Sequence, residues 1–214
     1  GRNISTERMR IDSNGDVGIG VTSPDATLTV SSGSANNVAN FKSTDGTAYI
    51  AIADNSTTSV LHNQIGAIGD NMFFATNDTE RMRIDSSGNL LVGTTDTAPG
   101  AGDTNTGISF RSGGDGFFSK ASSYAARFNR NTDDGDVVTF AKNGANVGSI
   151  GTQSGNPYIG GTNRGIRFDS TQIIPADMTA SGSNSDNSID IGDSGVRFKD
   201  LYLSGSVSSG GTYR

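Results

Sequence analysis

"TERMRIDSNGDVGIG" (residues 6–20) and "TERMRIDSSGNLLVG" (residues 79–93) are one phrase written twice, 73 positions apart. The copies agree at ten of fifteen positions. Internal copies mark modules that bury their faces against neighbours. Within a copy the period is two: Arg8 and Arg10 point one way, Met9 and Ile11 the other. "DSNG" follows, ending on the Asn14–Gly15 pair that favours a tight hairpin turn. Val17, Ile19 and Val21 then alternate with Asp16, Gly18 and Gly20. In the second copy Met82 and Ile84 precede "DSSG", with Ser87 and Gly88 at the turn, and Leu90 and Val92 come after it. Each copy therefore reads as a β-hairpin with one apolar face and one polar or glycine face.

A lone hairpin is marginal in water, so the apolar face needs a cover. Gly18 and Gly20 permit close backbone approach, as at the axis of a narrow intertwined β-fibre. An ordinary β-sandwich with glycine-rich turns is the other reading.

The same grammar continues. "ATLTV" (26–30) and "TAYIAIA" (47–53) are short strands, and "VVTFAKNGANVGSIG" (137–151) is a hairpin turning at "KNGAN". "YIGGTNRGIRF" (158–168) and "DIGDSGVRFKDLYL" (190–203) share the pattern "IG…G[IV]RF". A final strand is expected to end near Val207, before a compliant "SSGG" at 208–211. The organisation expected is hairpin-repeat modules over 1–94, a glycine-rich linker over 95–107, an aromatic-containing β module over 108–178, and a C-terminal strand module over 179–214. "TASGSNSDNS" (179–188) reads as a second break. Little or no helix is expected; the best stretch, 124–128, is too short to stand alone.

Composition points the same way. Leu, Ile, Val and Phe make up about 20% of the chain, near the border of disorder. The net charge of −6 is too small to enforce disorder. The 30 glycines, with abundant Ser, Thr, Asn and Asp, build turns. The expectation is a chain that folds but shares a core with other copies of itself. With no Cys, disulfides and thiolate metal sites are excluded. No apolar run has the length of a membrane helix, and no basic block suits nucleic acid, so neither membrane insertion nor nucleic acid is expected. The first residue is Gly rather than Met, and an excised piece of a longer protein is expected.

Four stretches resemble the modular tail fibres and tailspikes of tailed bacteriophages: "ERMRIDSNGDVGIGVTSPDATLTV", "ERMRIDSSGNLLVGTT", "ARFNRNTDDGDVVTFAKNGANVGSIG" and "SIDIGDSGVRFKDLYLSGSV". Together they cover 86 of the 214 residues, about 40% of the chain. The resemblance implies an elongated, intertwined homotrimeric β-fibre, located in the virion and acting in host attachment. It also implies a transient C-terminal intramolecular chaperone of the endosialidase type, which trimerises the fibre and cuts itself off, making Arg214 a processed end. The implied partner is a host-surface receptor, expected to be a glycan. The rival functions are a polysaccharide-depolymerising tailspike and a bacterial surface adhesin.

No catalytic, cofactor-binding or metal-binding residue is expected. His62 is the only histidine, and a Ser–His–Asp or metal site would need it in a defined constellation. "NTDDGDV" (131–137) offers close-spaced oxygens but lacks the terminal Glu of a twelve-residue calcium loop. Asp133 and Asp134 lack the cleft and raised acid of a glycosidase. Arg8, Arg10, Arg81 and Arg83 are expected to face solvent or to meet acids of a neighbouring chain. In "GDGFFSKASSYAARF" (114–128) the aromatics suit a core, and any that are exposed suit stacking on a sugar. Phe117, Tyr124 and Arg127 are the candidate receptor contacts.

Overall fold

The computed structural model describes residues 7–180, 182–185, 189–200 and 202–205. The protein is all-β, in three sheets, and its one helical element among the described residues is a 3-10 turn, Met178–Ala180. It divides into two compact units, Gly1–Ala125 and Ala126–Arg214.

The first unit opens on the first copy of the repeat. Strand β1 (Met9–Ile11) pairs antiparallel with β2 (Val17–Ile19), placing Met9 opposite Ile19, Arg10 opposite Gly18 and Ile11 opposite Val17. The turn between them is tied by a carboxylate: Asp12 Oδ1 accepts the backbone N–H groups of Asn14 and Asp16 at 2.8 and 3.0 Å. This self-bonding is why Asp favours turns. Gly15 closes the turn at φ +88°, a region that penalises any Cβ. Strand β3 (Leu28–Val30) joins the other side of β2 in parallel, so "ATLTV" is not half of a hairpin.

Seven strands form the second sheet: β4 (Thr47–Ala51), β5 (Gln64–Ile68), β6 (Asn71–Thr76), β7 (Thr79–Ile84), β8 (Leu90–Val92), β9 (Gly107–Phe110) and β10 (Gly116–Ser119). Each pairs antiparallel with the next in a simple meander. The second repeat copy is the β7–β8 hairpin. Its Asp85 Oδ1 accepts from the N–H groups of Ser87 and Asn89, both at 2.9 Å, and Gly88 takes φ +83°. The repeated words thus build the same turn twice. Residues 95–107, expected to link two modules, connect β8 to β9, which hydrogen-bond to each other inside one sheet. That loop folds back on the sheet: the Ser109 hydroxyl donates to the Thr97 carbonyl at 2.9 Å, and Pro99 is buried. The division of the chain falls at Ala125–Ala126 instead.

The second unit is a six-stranded meander: β11 (Gly135–Lys142), β12 (Ala145–Gln153), β13 (Asn156–Gly161), β14 (Arg164–Phe168), β15 (Ile173–Asp177) and β16 (Ser183–Asn184). Asn143 and Gly144, at φ +52° and +81°, make the two-residue turn between β11 and β12. Tyr158 lies across its strand neighbour Gly151, where an added Cβ would sit 2.5 Å from the phenol oxygen. Stretch 190–203, part of the expected C-terminal strand module, contains no strand among its described residues. The strand expected near Val207 and the break at 208–211 lie outside the described residues.

Candidate functional site

Side chains alternate across a strand, and residues directly opposite in neighbouring strands share a face. Applied to the seven-stranded sheet, the register writes out two rows on one face. The first runs Ile50, Ile65, Phe74, Met82, Val92, Ile108 and Phe118. The second runs Ala48, Ala67, Met72, Ile84, Leu90 and Phe110, ending at Gly116. Neither row contains a polar side chain. The rings of Phe110 and Phe118 meet edge to face, with centroids 5.6 Å apart. Among the described residues this face stays partly open: Met72 is 48% exposed, Ile84 42% and Phe110 47%, while Ile65, Phe74, Met82, Leu90 and Ile108 are half-buried.

The buried side chains lie on the other face. Phe73, Leu91 and Ser109 are buried there, beside Arg83. Arg83 donates to Glu80 through Nε at 2.5 Å and Nη2 at 2.6 Å. In the first copy Arg10 makes the same paired contact with Glu7 and also reaches the Thr22 carbonyl. This corrects the expectation for these two arginines, whose acidic partners belong to their own chain. Arg8 and Arg81 remain exposed, Arg81 donating to the Thr76 hydroxyl at 3.1 Å.

Both other sheets repeat the asymmetry. In the small sheet, Met9, Ile19 and Val30 form one row and Ile11, Val17 and Leu28 the next; Met9 is 58% exposed and Ile11 67%. In the six-stranded sheet, Val138, Ile150, Ile159, Ile166 and Pro175 form an open row, flanked by the Phe168–Ile173 pair. The opposite face holds Tyr158, Ser149, Arg167 and Ala176, all buried. There the Tyr158 hydroxyl donates to Asp136 Oδ1 at 2.7 Å, and burial, with that hydrogen bond second, pushes the phenol pKa well up. Arg167 binds Asp169 at 3.2 Å and the Gly182 carbonyl at 3.3 Å. Among the described residues five hydrophobic side chains are buried and 31 large ones are exposed. A self-sufficient globular domain reverses that balance.

The residues singled out for chemistry are spread apart. Phe117 is half-buried beside Arg111, whose guanidinium carbon lies 5.7 Å from the ring centroid. Tyr124 is 84% exposed and lines an open hollow of about 370 Å³ with Val92, Ile108, Ser119 and Lys120, a hollow that does not include Phe117. Arg127 is exposed and belongs to the second unit. His62 Nδ1 lies 3.1 Å from the Thr58 hydroxyl and its Nε2 lies 3.6 Å from Asp78. The order Thr–His–Asp has the outline of a nucleophilic relay, but Asp78 is too far for a hydrogen bond and its side chain is 61% exposed. The contacts anchor the loop before β5 to the β6–β7 turn. Asp133 is held by Arg130 at 2.8 Å, and Asp134 accepts the Ser154 N–H at 2.6 Å, so both acids serve local structure. The described residues contain no group of three His, Cys, Asp or Glu placed to hold a metal ion.

The apolar faces were legible in outline from the period-two pattern. Their assembly into continuous rows needed the strand register. No protein-family model, curated protein or solved structure matches the chain.

Proposed function

We propose that this chain is a structural and adhesive segment of a phage tail fibre, which works as a homotrimer in the virion and attaches the particle to a glycan on the host surface. One observation supports the assembly: among the described residues every sheet carries an apolar face with large exposed side chains, such as Ile11, Met72 and Ile173. Burying a large aliphatic or aromatic side chain contributes roughly 1.5–3 kcal/mol, so a shared core built from these rows is a strong drive to associate. The four resembling stretches supply the rest of the reading, including the transient chaperone that sets the register of three near-identical chains. The action is geometric. Three copies present three equal surfaces, and weak contacts gain avidity when all engage together. Of the candidate contacts, Tyr124 offers the most open ring for a sugar face.

Two measurements test this. Light scattering should return about three times the 22.0 kDa chain mass. The labelled protein should then bind cells of a susceptible host and lose binding when surface glycans are stripped. A stable monomer at micromolar concentration rejects the assembly. Undiminished binding after stripping rejects the glycan.

A further inference from the structure

The sequence pattern of β13–β14 returns once, at 190–198, and there it forms no strand among the described residues. In the first occurrence Ile159 stands opposite Ile166 and Gly160 opposite Gly165, while Arg167 and Phe168 point to opposite faces. In the second, Ile191, Gly192, Val196, Arg197 and Phe198 occupy the matching places. Its turn is closed by the Asp193 N–H donating to the Val196 carbonyl at 2.7 Å and by the Gly195 N–H donating to Asp193 Oδ1 at 2.7 Å. Gly192 sits across from Arg197, whose Cα lies 3.6 Å from where a Gly192 Cβ would be. Continuing that register puts Ile191, Val196 and Phe198 on one face, as Ile159, Ile166 and Phe168 are in the sheet. Here, however, they are 86%, 77% and 71% exposed. Ile191 and Phe198, but not Val196, line an open hollow of about 660 Å³.

We infer that residues 190–198 are a docking hairpin that completes itself only against the same segment of neighbouring copies, with Ile191, Val196 and Phe198 forming the contact. This rests on the homo-oligomer proposed above. Two observations select a second copy as the occupant. The sequence pattern is already satisfied once in this chain by strand neighbours of its own kind, β12 and β15. Its charges are also mixed: Lys199 already lies 3.5 Å from Asp200 of its own chain, while Arg197 stands in a stretch with Asp190 and Asp193, so copies can pair acid with base. A strongly acidic or basic partner would meet like charge.

Trypsin reads this out on the full chain, because Arg197 and Lys199 are cleavage sites inside the segment. The assembled protein should be cut there at least tenfold more slowly than a synthetic peptide of residues 186–205. Val196→Asp should keep the wild-type mass by light scattering, since the sheet faces still associate, while cleavage at Arg197 rises to the peptide rate. Peptide-rate cleavage of an assembled wild type overturns the docking hairpin and leaves the oligomer standing. Protection that survives Val196→Asp also overturns it, as does protection that appears only when host glycan is added. A wild-type monomer overturns both readings.

Discussion

Glu80 and Arg83 lie three residues apart on one strand yet share a face, with Oε2 and Nη2 2.6 Å apart. Strict alternation would put them on opposite faces. The register shows the cause: Ala75 pairs with Glu80 but Phe74 pairs with Met82, so Arg81 is an extra residue, and the bulge re-aims Glu80 toward Arg83. The Arg83 and Glu80 side chains are 19% and 29% exposed, and the pair bonds through two nitrogens. Arg83→Lys should destabilise by about 1 kcal/mol and Arg83→Met by about 2 kcal/mol, since the second leaves Glu80 without its cation. Denaturant midpoints of the three proteins check the order.

The repeated turns predict a backbone effect free of packing. A Cβ at Gly15 meets nothing within 4 Å, and one at Gly88 makes only an ordinary 3.6 Å contact with Ser112. The cost of substitution is therefore the left-handed φ. Gly15→Val and Gly88→Val should each cost roughly 1–3 kcal/mol, and Gly→Asn at either position clearly less. Equal losses for Val and Asn in denaturant titrations would contradict this.

Acid should loosen the second turn. The Asn89 side chain donates to Asp85 Oδ2 at 2.8 Å, and with the N–H groups of Asn89 and Ser87 it holds the Asp85 carboxyl below its ordinary pKa. A group depressed in the folded state contributes stability above its unfolded pKa and loses it as pH falls through the folded value. The contribution is thus full above about pH 4 and fades below it. Asn89→Ala removes the strongest of these hydrogen bonds to Asp85, together with the Asn89 acceptor for the Ser112 N–H at 3.0 Å. Stability of this variant should fall at neutral pH and change less than wild type between pH 6 and pH 3.

The two faces of the seven-stranded sheet should answer differently to substitution. Leu91 is 1% exposed, and Leu91→Ala should destabilise the chain by about 2–5 kcal/mol through the cavity it leaves. Ile84 is 42% exposed, and Ile84→Asp should spare the fold of the single chain while lowering the mass seen by light scattering. An unchanged mass would remove the seven-stranded face from the shared core.

His62→Ala loses one contact to the Thr58 hydroxyl and a 3.6 Å approach to Asp78. It should change stability by less than about 1 kcal/mol and leave cell binding intact. A large loss of binding would give this histidine a functional role.

What the sequence determined by itself is local. The period of two, the Asp that bonds its own turn and the glycine that must take positive φ encode both repeat hairpins within a few residues, so reading them required no distant partner. The β11–β12 turn at Asn143–Gly144 was legible for the same reason. The same words did not make a sheet at 190–198, because strands also need neighbours, and neighbours are not local. Nor did the pattern reveal which face is covered. Alternation separates Met82 and Ile84 from Arg83, but the choice of inner face rests on contacts distant in sequence: the loop of residues 95–107 bonding back to Ser109 and the bond from Ser112 to Asn89. Only the tertiary structure decided that, among the described residues, the arginine face holds the buried side chains and the aliphatic face the more exposed ones, since a period-two pattern is symmetric under exchange of its faces until the connecting loops choose a side.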